Sequence, residues 1–485
     1  LFALISFYVN TSAQEKIPFI NPDDVFTESE EQIAEEKLEE SLTTLNKINK
    51  NDSLYLTSML RKSYYLLQFD EFERAIDTID KALSISNVKE PIVASLYNNK
   101  TVAYINSEQP EKALEVADEA LSFYPVSYLL NFNRGLALEN AGQSKKALEA
   151  YQASARYNLF YAKPHLRIGN LCYEQGLFAQ ALMSFNMFLL FNPDGADSGN
   201  ILSSLNRNVQ TIYPDKDPDV VFSEDDSIYE DLDLILNGHI ALNDDYEINS
   251  DIDNPLSKQS HAMILQLKDI ENTDDFWGKI YQPLYEWILE NNYFETFLYT
   301  INFSTDNRDH KKIIDRKIDD ITAFLPELRQ KWYDLICENE VSINGEKEIV
   351  TFNYFDGGLL SSYGKIEDNQ NVGDWSFFYP AGNIKAKGSY ADGEQSGDWV
   401  WYYENGKIKE KGSFVEGLMQ GSNTSFHENG RLHIETELKD SKIDGEYKYY
   451  LPSGALKQKK FFKDGNLSGK YTAYFNVGES IPEFE

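Results

Sequence analysis

Five glycines fall at Gly373, Gly397, Gly421, Gly445 and Gly469, each 24 residues from the next. A second set, Gly358, Gly382, Gly406, Gly430, Gly454 and Gly478, keeps the same step. Two interleaved series of one period leave little freedom. Residues 349–480 must fold as a row of six similar units, the outer ones degenerate. One unit reads GDWVWYYENGKIKEKGSF (397–414). A short aromatic strand (399–403) meets Glu404-Asn405-Gly406, and Asn-Gly signals a hairpin turn because both residues tolerate positive φ. A return strand (407–414) and a turn with Gly417 complete the unit. The expectation is one hairpin per unit and an antiparallel sheet extending on the order of 55 Å at ~4.8 Å per strand.

Three columns repeat with the glycines. Tyr354, Phe378, Tyr402, Phe426, Tyr450 and Tyr474 form an aromatic column; Leu360, Ile384, Ile408, Leu432 and Leu456 a second; Ile366, Tyr390, Phe414, Leu438 and Phe462 a third. In register these become ladders that bury one another. Alternation places Tyr402 opposite Trp399, Trp401 and Tyr403, so both faces carry aromatics and one can serve as a docking surface. The G-x-W-x-x-Y-x-x-x-G-x-[IL]-K core resembles the variant MORN repeat, common in bacterial proteins, some of them labelled antitoxin-like. The segment 421–443 is the weakest unit, with Asn423 where the others have Trp or Tyr. The resemblance implies an elongated sheet used for protein contacts and, in some eukaryotic members, for contact with acidic lipid. The candidate surface comprises Trp375, Trp399 and Trp401 together with Lys385, Lys409 and Lys457. Those lysines, with Lys387, Lys411 and Lys459 two residues on, make a basic stripe that could hold an anionic lipid or glycan; the favoured reading is a solvated face that discourages edge pairing. His427 and His433 occupy repeat columns of Tyr and Lys, which reads as substitution rather than metal binding.

The first half repeats at a different step. Gly135 and Gly169, Gly142 and Gly176, and the series Ala113, Ala147 and Ala181 recur every 34 residues. Small residues mark places where helices cross closely, and Pro125 and Pro193 close the second helix of a pair. This resembles the tetratricopeptide repeat, a 34-residue pair of antiparallel helices, over roughly residues 30–210. A weaker unit surrounds Ala75, with four extra residues in the loop 86–91, and the glutamate-rich segment 28–50 reads as a half-unit or cap. The resemblance places Asn98, Phe132, Leu136, Glu139, Lys163, Leu166, Asn170 and Tyr173 in a peptide groove. Family members that grip a C-terminal carboxylate use Lys, Asn, Asn, Lys and Arg, for which this chain has Asn98, Val102, Asn133, Lys163 and Arg167; the last three match. Lys163 and Arg167 stand one helical turn apart and can converge on one carboxylate.

Charge separates the regions. The chain carries 45 Lys+Arg against 79 Asp+Glu, net −34, and residues 211–340 alone carry 11 against 30. Such a chain repels phosphate backbones, which excludes nucleic acid as the expected partner. The segment 211–340 reads as an acidic helical extension or cap of the solenoid, its aromatics spaced as core. Pro283 is expected to start or kink a helix there. Residues 1–9 are apolar and followed by Asn10-Thr11-Ser12-Ala13, which reads as the end of a secretory signal spanning 1–13. Cys172 and Cys337 fit no metal or redox spacing and are expected as buried thiols.

No phosphate loop, H-E-x-x-H or G-x-S-x-G motif occurs. The fold class expected is α+β multidomain: an all-α solenoid (28–210), the acidic extension (211–340) and a β-hairpin repeat sheet (349–480). The expected role is an exported, periplasmic or extracellular, non-enzymatic scaffold for protein partners, without cofactor or metal. The alternatives are a surface-binding module for anionic lipid or glycan, and a hydrolase with a site assembled across domains.

Overall fold

A computed structural model describes residues 21–50, 52–85, 91–211, 220–343, 346–476 and 479–480. The expected signal (1–13), the inserted loop residues 86–90 and Gly478 lie outside them. The chain divides into two compact units, residues 1–85 and 86–485.

The first unit contains the helices Pro22–Ala34, Leu38–Leu45, Tyr55–Gln68 and Phe72–Ile85. Its glutamate-rich start is a full helical pair rather than a half-unit. Val25, Leu42, Leu45, Tyr65 and Leu66 share one apolar core. Asn21 begins the first helix by accepting from the Asp23 backbone N–H (3.3 Å), satisfying one of the free donors of a helix start.

The second unit opens with three helical pairs: Pro91–Asn106 with Pro110–Phe123, Tyr128–Asn140 with Ser144–Tyr157, and Lys163–Glu174 with Phe178–Phe191. The 34-residue spacing follows from how each pair crosses. A Cβ on Gly135 would stand 2.4 Å from the Tyr151 ring, and one on Gly169 would stand 2.5 Å from Phe185. Only glycine lets the aromatic of the second helix lie against the first.

The acidic middle segment is integrated into this core. Twelve of the 14 residues of the helix Phe178–Phe191 are buried. Tyr285 Oη donates to the Met183 carbonyl (2.5 Å), Asn186 Nδ2 to Ser260 Oγ (3.0 Å), and Trp332 Nε1 to the Leu159 carbonyl (3.0 Å). The first two bonds join the helix Phe178–Phe191 to the middle-segment helices Gln282–Glu290 and Pro255–Leu267; the third joins the solenoid loop at Leu159 to the helix Ile318–Ile336. Pro283 lies just beyond a π-helical segment, Trp277–Tyr281, that runs directly into Gln282–Glu290, so it sits where the helix changes its winding. Lys317 separates two further helices of this segment, Arg308–Arg316 and Ile318–Ile336.

The described residues from Glu338 onward form a sheet of fourteen strands, almost every strand paired antiparallel with its sequence neighbour. Its turns differ from the sequence expectation. Between the strands Glu394–Tyr402 and Ile408–Val415 the chain makes a five-residue loop, with Gly406 N–H donating to the Tyr403 carbonyl (2.8 Å). Only Gly406 takes positive φ (69°). Asn405 instead accepts the Lys407 N–H (3.0 Å) through its side chain. The tight two-residue turns lie at the other end, where Glu416 (φ 50°) and Gly417 (φ 71°) join Val415 to Leu418. Asp392-Gly393 and Asp464-Gly465 repeat that geometry, and Asp-Gly favours the doubly positive turn for the same reason as Asn-Gly.

The columns pair across the ladder as their spacing requires. Phe378 faces Ile384, Tyr402 faces Ile408, Phe426 faces Leu432 and Tyr450 faces Leu456, each beside a bulge. The first hairpins pack on the solenoid. Val350, Phe352, Leu360 and Phe378 form one cluster with Val126, flanked by Tyr157. Leu159 N–H donates to the Gly358 carbonyl (2.9 Å), Val126 N–H to the Gly382 carbonyl (3.4 Å), and Tyr354 Oη to the Arg156 carbonyl (2.8 Å). Thus turns one β-repeat apart meet solenoid loops one helical repeat apart, in reversed order along the chain.

Candidate interaction surfaces

The groove residues are largely engaged with one another. Asn133 Nδ2 donates to Asn98 Oδ1 (3.1 Å), and both side chains are buried. Arg167 Nε lies 3.5 Å from Glu139 Oε2, and Glu139 also accepts the Tyr151 hydroxyl. Burial and the neighbouring Glu139 carboxylate push the Tyr151 phenol well above its ordinary value. Lys163 is exposed at the start of its helix, while Asn170 and Tyr173 are half-buried on the same helix. Tyr173 Oη donates to the Asn208 carbonyl (3.1 Å), linking the groove to the end of the helix Ser198–Asn208. Phe132 packs edge-on against Tyr161 at 5.3 Å. A ligand carboxylate reaching Arg167 therefore competes with Glu139.

The sheet presents a different surface. Trp375 and Trp399 are 4% and 2% exposed, although the cluster around Trp399 contains sheet residues alone: Ala386 and Phe414, flanked by Phe377, Tyr390, Trp401 and Met419. Burial within a single layer has a local cause. A Cβ on Gly364 would stand 2.2 Å from the Trp375 indole, and one on Gly388 would stand 2.1 Å from that of Trp399. Each indole lies flat over a glycine of the strand beside it. Trp399 Nε1 then reaches the Ser389 carbonyl (3.1 Å), and Trp401 stacks on it at 5.6 Å. Gly364, Gly388 and Gly412 form a third series of period 24, the signal that sequence reasoning missed. The outcome is an aromatic face with Phe377, Tyr390 and Trp401 half-buried, on the side of the sheet opposite Phe378 and the solenoid.

The lysines Lys385 and Lys409 are exposed, their ammonium groups 6.0 Å and 5.9 Å from the ring centroids of Tyr379 and Tyr403. Lys459 pairs with Glu446. Beneath them runs a ladder joining successive units. Tyr379 Oη donates to the Tyr402 carbonyl (2.8 Å), Tyr403 Oη to that of Phe426 (2.7 Å), and His427 Nε2 to that of Tyr450 (2.9 Å). Asn383, Asn405 and Asn429 add donations to the carbonyls of Glu404, Glu428 and Pro452. His427 fills a tyrosine position and makes the tyrosine's bond. His433 packs tilted against it at 4.3 Å, and burial together with His427 lowers the His433 pKa.

Among the described residues no group of three or more His, Cys, Asp or Glu could hold a metal, and no helix is long and apolar enough to cross a membrane. Cys172 is a buried free thiol, raised well above its ordinary pKa by burial; Cys337, at the end of the helix Ile318–Ile336, is free and only half-buried.

These features define a double-repeat protein, tetratricopeptide-like helical pairs followed by a β-hairpin repeat sheet. Residues 371–392, 395–416 and 443–464 match the MORN repeat variant. Comparison with curated proteins returns no match. Solved structures that resemble the chain include MamA (17% identity, TM-score 0.29, covering 35% of this chain and 96% of that one) and MamA 41-end from Desulfovibrio magneticus RS-1 (18%, 0.30, 36% and 96%). They also include YrrB, described as a TPR protein with an unusual peptide-binding site (20%, 0.27, 35% and 86%).

Proposed function

We propose that this chain is a non-enzymatic scaffold, exported to the cell envelope, that holds protein partners on its two repeat surfaces. One observation carries the reading. Docking on the solenoid uses the Phe352 and Phe378 side of the sheet, while the side bearing Phe377, Tyr390 and Trp401 clusters with sheet residues alone. A continuous row of half-buried aromatics suits a protein interface, where such residues dominate binding. The apolar run 1–9 with its small-residue flank supports export. Purified chain cross-linked in an envelope extract should retain specific proteins, and Trp401→Ala should deplete them. Recovery of none counts against the reading. Mass spectrometry of the mature N-terminus with cell fractionation tests export.

A second reading draws on the exposed ammonium groups of Lys385 and Lys409, which Tyr379 and Tyr403 hold in line. There the sheet grips an anionic lipid or glycan. Charge reversal of Lys385, Lys409 and Lys457 should abolish sedimentation with anionic vesicles, and unchanged sedimentation would sink it.

A further inference from the structure

The sheet sorts its side chains by face. Strand register sets Phe377, Trp401, Ile434 and Tyr449 in one row across it, and the adjacent row on the reverse face holds Lys387, Lys411, Glu435 and Lys448. The solenoid packs on that reverse face, at Phe352. A sheet with one charged and one apolar face buries the apolar one against a second layer. Over the eight strands from Gln370–Phe378 to Leu456–Lys463, at ~4.8 Å per strand and ~3.4 Å per residue, the apolar face offers roughly 35 Å by 20 Å, about 700 Å² in plan. Side-chain relief raises that towards the ~800 Å² that each partner gives to a specific interface.

Along those strands the register sets two charged side chains on the apolar face, Glu410 opposite Trp401 and Lys460 opposite Tyr447. Glu410 accepts from Asn423 Nδ2 (2.9 Å), and the Lys460 ammonium lies 5.9 Å from the Tyr447 ring centroid; among the described residues neither forms an ion pair. A wholly apolar partner would bury both charges unpaired, which is strongly unfavourable. Their placement is symmetric. Glu410 stands on Ile408–Val415 and Lys460 on Leu456–Lys463, each two strands from Leu432–Lys439, or ~10 Å. Along the strands they are one row apart, ~7 Å. Face-to-face sheets lie ~10 Å apart with their strands within about 30°. A two-fold axis along Leu432–Lys439 therefore lays Glu410 of each copy within side-chain reach of the partner's Lys460, the reciprocity that a symmetric interface requires.

We propose that two copies of this chain pack face to face through the apolar side of the sheet, Glu410 of each pairing with the partner's Lys460. The proposal deepens the protein-binding reading and rests on it: the partner of the sheet is a second copy. Sedimentation of the full chain over a concentration series should show a dimer, and Trp401→Ala should abolish it. Glu410→Lys and Lys460→Glu, each alone, turn two attractive contacts into two repulsive ones and should raise the dimer dissociation constant at least about tenfold. An equimolar mixture of the two single variants restores opposite charges at both contacts and should recover the parental constant within about threefold, as should the double variant. Recovery on mixing also shows that both variants are folded. A chain that stays monomeric, a dimer that survives Trp401→Ala, single swaps without effect, or mixing that fails to rescue would each overturn the proposal. A monomer that retains another protein through Trp401 overturns the homodimer and leaves the protein-binding reading standing. A dimer rescued by mixing, from a chain that captures no other protein, supports the homodimer and rejects a foreign occupant of this face.

Discussion

Gly382 lies so close to Ser127 that a Cβ on it would stand 2.5 Å from the Ser127 backbone nitrogen. One belongs to a β-turn and the other to the loop between helical pairs. Their contact leaves no room for a side chain, and the Gly382 carbonyl accepts from Val126 next door. The first turn repeats the arrangement, Gly358 meeting Phe160 and Leu159. The later turn glycines Gly430 and Gly454 instead face Lys407 and Arg431 of the preceding unit.

Two alanine substitutions should therefore separate strain from contact. Gly397 has positive φ (66°) and open space around it, so Gly397→Ala is expected to cost about 1–2 kcal/mol from backbone strain alone. Gly382→Ala carries comparable strain and a clash with backbone, and should cost clearly more. Hydrogen exchange at Phe352 and Phe378 reads the difference: protection there should fall for Gly382→Ala and hold for Gly397→Ala.

The tryptophan-over-glycine motif predicts opposite effects at neighbouring units. Trp399→Ala removes a side chain that is 2% exposed, and such losses run about 3–5 kcal/mol. At the weak unit, Gly412 keeps the space but faces Asn423 in place of an indole. Asn423→Trp should rebuild the motif and raise the melting temperature, despite loss of the Asn423–Glu410 hydrogen bond (2.9 Å). A lower melting temperature would show that the glycine alone does not define the site.

His427 tests the inter-unit ladder. His427→Tyr preserves a donor to the Tyr450 carbonyl and should be close to neutral, whereas His427→Ala orphans that ladder position at a cost of about 1 kcal/mol. Urea titration of the two variants distinguishes them; equal destabilisation would remove the hydrogen bond from the account.

Two groups of the helical region, the half-buried Asp233 and the fully buried His165, give the stability a pH dependence of opposite signs. Burial pushes Asp233, which accepts from the Ala179 N–H (2.7 Å), up to about 8. An unfolded aspartate titrates near ~3.9, so the folded state keeps a proton that the unfolded state releases. Its contribution is present in acid and lost as pH rises from ~4 towards 8. Burial holds His165 down at about 3, against ~6.5 unfolded, so its contribution is present above ~6.5 and lost as pH falls. Asp233→Asn should gain melting temperature over the parent progressively from pH 4.5 to 8.5. His165→Phe should melt less steeply between pH 6.5 and 4, though it gives up the Tyr281 partner of His165. A parent and Asp233→Asn that stay parallel across the range would remove Asp233 from the account.

Periodicity made both repeat architectures legible, because 24 and 34 residues are the lengths of one closed structural unit each. The docking of sheet on solenoid was not legible. Gly358 and Leu159 are distant in sequence, and each follows its own repeat pattern with no mark of the other. The turn types were misassigned because both turns of a unit contain glycine, and Asn405 looks like a positive-φ residue while it works through its side chain. The face of Trp399 stayed open since a buried tryptophan suggests a second layer; the covering came instead from Gly388 and from neighbours in the same sheet. In the groove, the resemblance to the tetratricopeptide repeat pointed to Asn98, Asn133 and Arg167, but the pairing of Arg167 with Glu139, which also holds Tyr151, belongs to no carboxylate-binding pattern.

The meeting of Gly358 with Leu159 and of Gly382 with Val126 engages two racks of different pitch in sequence at two teeth. Such a mesh tolerates growth in one direction only. A 24-residue unit duplicated after the second hairpin lengthens the free end of the sheet and leaves both teeth seated. The same duplication between Gly358 and Gly382, or one extra helical pair between Val126 and Leu159, throws the second tooth off its partner. Repeat number in this chain is thus free to drift at the far end of the sheet and locked at the junction.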